Sequence, residues 1–254
     1  MAYVIAFAGK GGTGKTTLSG LTIRYLKERR KGPILAVDAD ANSNLNEVLG
    51  LKVYATVGGL REQSLTTVRA GDRPGGMSMD ELFDYQVQRC LIEAKGFDLL
   101  VMGRPEGPGC YCAANNIIRK YTDKMSEDYP YVVMDNEAGL EHLSRRTTHD
   151  VDLLIIVSDP TVRGIITAKR IIELVKELSL KVKSSALIIN RIGNESEEDL
   201  KKVASDQGLN ITGFIPSDEK VFEYDITGIP LINLPADAKS LKALYSILDS
   251  LKIL

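Results

Sequence analysis

Short apolar runs recur along the chain, separated by segments whose apolar positions return every three to four residues. The runs occupy residues 3–8, 34–38, 98–102, 131–135, 153–158, 186–190 and 211–215. Several are nearly unbroken, as expected of parallel strands covered on both faces. Helical periodicity marks residues 17–27, 167–178, 197–207 and 239–251, and a further amphipathic stretch covers 79–94. This alternation predicts one α/β domain over residues 1–254, a twisted and mostly parallel sheet with helices on both faces. Ligands are then expected beyond the carboxyl ends of the strands.

The first apolar run leads directly into Gly9-Lys10-Gly11-Gly12-Thr13-Gly14-Lys15-Thr16, with Thr17 opening the helical segment. Glycines between a strand and a helix let backbone N–H groups turn inward around phosphate oxygens, assisted by the helix N-terminus. In such a P-loop Lys15 reaches the β- and γ-phosphates and the Thr16 hydroxyl binds Mg²⁺. A plain glycine turn would account for neither Lys15 nor Lys10. The pattern Lys-Gly-Gly-Thr-Gly-Lys-Thr resembles the deviant Walker A motif of the SIMIBI-class ATPases, which include MinD, ParA, the nitrogenase iron protein and Mrp-type scaffold ATPases. That resemblance implies a P-loop NTPase fold, ATP and ADP as ligands, and a homodimer in which Lys10 crosses to the partner's nucleotide. Lys10 and Lys15 then both act in catalysis.

Two acidic strand ends lie at the same sheet edge. Val37-Asp38-Ala39-Asp40 closes the second run, and in the family Asp40 corresponds to the residue that orients the attacking water. Asp38 is assigned to the Mg²⁺ shell, with helix capping as the competing role. Met134-Asp135-Asn136-Glu137-Ala138-Gly139 has the Walker B form, an aspartate closing an apolar strand and positioned for Mg²⁺. Ala138 and Gly139 form a small, pliable segment suited to a switch. Asn190 and Arg191 resemble the family's adenine-reading position, and the loop Ile215-Pro216-Ser217-Asp218 resembles the one that flanks the base.

The formal net charge is −2 across 254 residues, so no broad electrostatic attraction to nucleic acid or membrane is expected. The amino terminus is not signal-like, and no apolar run is long enough to span a bilayer. Residues 239–251 are amphipathic but poor in cations, which favours packing on the sheet over lying on a membrane. Three cysteines without an even disulfide framework point to a reducing cytoplasm.

Two of those cysteines form Gly109-Cys110-Tyr111-Cys112 in a glycine-rich loop after residues 98–102. Paired thiols at this spacing suit a soft metal, and two copies of the chain would complete a tetrahedral four-thiolate site. Cys90, within the amphipathic stretch, is expected in the core. His142 and His149 are expected to be ordinary helix residues. Residues 56–76 carry several glycines and charges and no clear motif.

The Gly-Cys-Tyr-Cys loop, together with Asp135-Asn-Glu-Ala-Gly-Leu-Glu-His142-Leu, closely resembles the CooC-type accessory ATPases of nickel carbon monoxide dehydrogenase and their AcsF-type relatives. The resemblance implies a dimer that holds Ni²⁺ or Zn²⁺ through Cys110 and Cys112. Its client would be the dehydrogenase or its acetyl-CoA synthase complex. Two other readings stand beside it. A nitrogenase-iron-protein-like or scaffold ATPase would carry an iron–sulfur cluster, although the switch after Asp135 contains no cysteine. A MinD- or ParA-type positioning ATPase would need a membrane or DNA surface.

Overall fold

The computed structural model describes residues 2–29, 31–59, 85, 87–104, 128–137 and 150–253. Its strands are β1 (Tyr3–Gly9), β2 (Ile34–Ala39), β3 (Ile92–Ala94), β4 (Phe97–Val101), β5 (Tyr131–Asn136), β6 (Asp150–Ser158), β7 (Lys181–Ile192) and β8 (Ile211–Pro216). They form one eight-stranded sheet in the order β3-β4-β2-β5-β1-β6-β7-β8. Every pairing is parallel except that of β3 with β4. Helices α1 (Lys15–Glu28), α2 (Leu45–Leu49), α3 (Val162–Glu177), α4 (Glu197–Asp206), α5 (Glu219–Thr227) and α6 (Lys239–Ser250) connect and cover the strands. This is the doubly covered α/β architecture that the alternation predicts.

Alternation of side chains along the strands explains the two cores. On β1, Ile5 and Phe7 face one side, where Leu18 and Leu21 of α1 meet Leu241, Leu244 and Leu248 of α6. Ala6 and Ala8 face the other, against Ile165 and Ile171 of α3 and Leu200 of α4. Each large side chain so buried stabilises by roughly 1.5–3 kcal/mol. The apolar face of α6 is therefore core, as its shortage of cations implied. Among the described residues, no helix is long and apolar enough to cross a membrane.

Three of the predicted elements depart from expectation. The periodic stretch 79–94 does not continue as one unit: the chain turns at Arg89-Cys90, and Ile92–Ala94 forms a strand. Ala94 pairs with Phe97 across a two-residue loop in which Gly96 has φ 89°, the left-handed backbone that tight hairpins require. Strand β7 extends five residues earlier than its apolar run, because Lys181 and Lys183 pair across to Asp150 and Asp152 of β6. Helix α3 begins at Val162, capped by the Thr161 hydroxyl accepting from the Gly164 N–H at 3.0 Å.

Candidate functional site

The phosphate loop rises from β1, which lies between β5 and β6 inside the sheet. Helix α1 begins at Lys15 after Gly14, whose φ is 93°. A Cβ on Gly14 would lie 2.4 Å from the Asn190 amide nitrogen, so both backbone and space demand glycine there. Lys15 is buried, and its Nζ donates to the Lys10 carbonyl at 3.2 Å; the Thr13 hydroxyl donates to the same carbonyl at 2.9 Å. Burial lowers the Lys15 pKa, while the charges of Asp135 and Asp40 act against that shift. Lys10 contributes only its backbone to this arrangement among the described contacts, and the residue is exposed.

Asp38 and Asp135 are register partners on β2 and β5 and are 0% and 1% exposed. Burial pushes Asp38 up to about 7, opposed by amide donation from Leu45 and Asp40 and reinforced by Asp135. Burial likewise pushes Asp135 up to about 6, opposed by the Thr16 hydroxyl, the Lys15 charge and Ser19. Ser19 donates to Asp135 Oδ1 at 3.3 Å; its position, one helical turn after Lys15, was the signal that sequence reasoning missed. Asp38 Oδ2 accepts from the Leu45 N–H at 3.0 Å and Oδ1 from the Asp40 N–H at 3.1 Å, so this carboxylate also ties down the start of α2. Paired buried carboxylates beside a hydroxyl, with one lysine for counter-charge, are a donor set that fits a hard divalent cation. Among the described residues, no three His, Cys, Asp or Glu side chains group into a metal cage of their own. A cation here would therefore depend on the Thr16 hydroxyl and on oxygens supplied by a ligand.

Two cavities at this sheet edge share Arg191 and Asp225 as lining. One, of about 400 Å³, is lined by Gly11, Gly12, Gly14, Lys15, Thr16, Asp40, Asn44, Glu47, Arg191 and Asp225. The other, of about 280 Å³, is lined by Thr17, Leu18, Asn190, Arg191, Pro216, Ser217, Asp218 and Phe222. The first brings Asp40 to the phosphate loop, and the second gathers Asn190, Arg191 and Pro216. Asp40 Oδ1 accepts from the Asn42 N–H at 2.8 Å. Asn190 donates through Nδ2 to the Thr13 carbonyl at 2.8 Å, and Arg191 Nη1 donates to the Gly12 carbonyl at 3.0 Å. Asp218 caps α5 through the Lys220 N–H and also accepts from the N–H and hydroxyl of Ser240, which joins this loop to α6. Neither α5 nor the Asp225 and Glu47 walls were anticipated, since their residues carry no motif.

Cys110, Cys112, Ala138, Gly139, His142 and His149 lie outside the described residues, as does 60–76 of the motif-free segment. The stem from which the thiol loop departs is described. The Met102 N–H donates to the Asp38 carbonyl at 2.8 Å, and Gly58 donates to the Met102 carbonyl at 2.8 Å. Cys90 is buried as expected, and burial pushes its thiol up to about 12.

The CobQ/CobB/MinD/ParA nucleotide binding domain matches residues 4–231. An uncharacterized ATP-binding protein of Methanocaldococcus jannaschii is 44% identical over 98% of this chain and 98% of its own. The carbon monoxide dehydrogenase accessory protein CooC of Rhodospirillum rubrum is 29% identical over 91% of this chain and 89% of its own. Among solved structures, the septum site-determining protein MinD of Pyrococcus horikoshii, complexed with Mg-ADP, aligns with a TM-score of 0.71 at 21% identity. That alignment covers 100% of this chain and 97% of the MinD chain. At that identity the likeness is one of fold.

Proposed function

The chain belongs to the CobQ/CobB/MinD/ParA nucleotide-binding family, and from that premise we propose that it is an ATP-hydrolysing, dimerising maturation factor that assists nickel insertion into carbon monoxide dehydrogenase or its acetyl-CoA synthase complex. The observation that carries the nucleotide half is the convergence of Lys15, Thr16, Asp40 and the Asp38–Asp135 pair on one phosphate loop. Lys15 binds the β- and γ-phosphates, and Asp40 orients the attacking water. Lys10 of the partner subunit is brought against the developing phosphate charge. Mg²⁺ would be held by Thr16 and Asp135 with Asp38 behind them, and when bound it neutralises charge on the transferred phosphate.

Asn190 supports adenine as the base. The Thr13 carbonyl can only accept, so the amide must present its NH₂ there and is left with Oδ1 for a base edge. An acceptor suits the exocyclic amine of adenine and opposes the carbonyl oxygen of guanine.

The nickel half rests on Cys110 and Cys112 and on the likeness to CooC. Met102, the residue after β4, donates to the Asp38 carbonyl, and Cys110 follows it in sequence, so the segment that carries the thiols begins at a residue hydrogen-bonded to the nucleotide site. ATP closes the dimer and brings the two cysteine pairs together around the metal cargo; hydrolysis opens it and releases the metal. Membrane positioning is disfavoured because the apolar face of α6 is already occupied by the core. The test is activation of nickel-free dehydrogenase by Ni²⁺ with this protein and ATP. Wild type should accelerate activation and Lys15→Ala should not; equal activation without the protein would overturn the nickel reading.

A further inference from the structure

The carbonyls of a phosphate loop are a liability, because each one turned toward the cleft repels the anion that the loop must receive. In this chain several are taken up by donors of the loop and its helix, and two by donors at the end of β7. Lys15 and the Thr13 hydroxyl occupy the Lys10 carbonyl, Asn190 occupies that of Thr13, and the Leu18 N–H occupies that of Gly14 at 3.0 Å. The Gly12 carbonyl, at the exposed crown of the loop, is held by Arg191.

Arg191 makes that bond from an unusual backbone. Its φ is 61°, in the left-handed region that arginine seldom enters. Strand β7 breaks register with β8 between Asn190 and Ile192, at this same residue. The irregularity turns consecutive side chains, Asn190 and Arg191, onto consecutive carbonyls of the loop. Local strain that sends a side chain to a ligand-binding loop is the kind retained at functional sites.

We propose that Arg191 is a positioning residue for phosphate, a cationic strut that fixes the Gly12 carbonyl and offsets its negative end, and so presets the loop to receive a polyphosphate. The inference rests on the nucleotide-binding reading above but departs from the adenine-contact role that the sequence predicts for Arg191. A strut acts on the phosphate end of the ligand, whereas a base contact acts on the other end.

Three probes separate these roles: Mg–ADP, inorganic tripolyphosphate and adenosine, each titrated against wild type, Arg191→Ala, Arg191→Gly and Arg191→Lys. Loss of one charge-assisted hydrogen bond should weaken Mg–ADP and tripolyphosphate by about tenfold or more in Arg191→Ala. Adenosine affinity should not change. Arg191→Gly is relieved of the left-handed backbone and should remain folded by thermal melting, yet show the same loss. Arg191→Lys should recover part of the affinity through its single cationic donor. The loss should persist at about 1 M salt, where a merely long-range charge effect is screened within ~3 Å. A parallel fall for adenosine would make Arg191 a base contact and overturn the strut, as would unchanged tripolyphosphate affinity. Failure of wild type to bind Mg–ADP would overturn the nucleotide reading itself.

Discussion

Asp38 and Asp135 face each other in register across β2 and β5, two buried carboxylates both driven toward the neutral form. Burial disfavours the charged form of each, and a bound cation would offset that cost. An unfolded carboxylate titrates near ~3.9. With folded values of about 7 and about 6, the folded chain binds more protons than the unfolded chain between those limits. Stability of the metal-free, nucleotide-free protein should therefore fall as pH rises through that window. Melting temperature should decline from about pH 5 to about pH 8 in chelator and flatten with Mg–ADP. A flat profile in chelator would contradict the burial of this pair.

Lys10 lends the loop its carbonyl, and among the described residues its side chain takes no part in the local hydrogen bonds. Lys10→Ala should leave ADP affinity near wild type. Turnover should drop by about two to three orders of magnitude, the scale of removing one preorganised charge from a transition state. ATP-induced dimerisation, followed by light scattering, should fall with it. Loss of ADP binding in the isolated chain would show that Lys10 acts within its own subunit.

Gly14 has no substitute. Gly14→Ala meets both the left-handed φ and the Asn190 amide, a backbone cost of about 1–3 kcal/mol before the clash is counted. Urea denaturation should register that cost, and ADP affinity should fall further than stability, because the Asn190–Thr13 hydrogen bond is displaced. Wild-type ADP binding by Gly14→Ala would remove Asn190 from the loop's support.

Cys90 should be chemically silent. With its thiol pushed to about 12, roughly one part in 10⁴ is thiolate at pH 8. In a Cys110→Ser/Cys112→Ser variant, a thiol reagent should modify the native protein orders of magnitude more slowly than the denatured one. Comparable rates would place Cys90 outside the core.

The parts of this molecule that could be read from sequence are those where residue type and period agree. Apolar runs, several nearly unbroken, located the parallel strands among the described residues, because strands buried on both faces leave little room for polar residues. The placement of the phosphate loop, Asp38, Asp40 and Asp135 at one sheet edge was legible because each directly follows an apolar strand-like run. Strand β3 was not: Ile92-Glu93-Ala94 is too short to show alternation, and its one cue is Lys95-Gly96 at the hairpin. The early half of β7 was hidden because Lys181 and Lys183 are satisfied by acids on a neighbouring strand, a tertiary fact. Resemblance places Arg191 at the base, whereas its contact with the Gly12 carbonyl depends on the left-handed backbone at the end of β7, which no residue pattern announces.

Metal bound per chain, measured by anaerobic equilibrium dialysis with Ni²⁺ or Zn²⁺ in the presence of excess Mg–ATP to keep Mg²⁺ at the phosphate site, tests the central claim most directly. Wild type should hold about one metal per two chains, as four thiolates around one tetrahedral ion require, and Cys110→Ser/Cys112→Ser should hold none. Equally negligible binding by both proteins would contradict the account and leave an ATP-driven switch with no metal cargo.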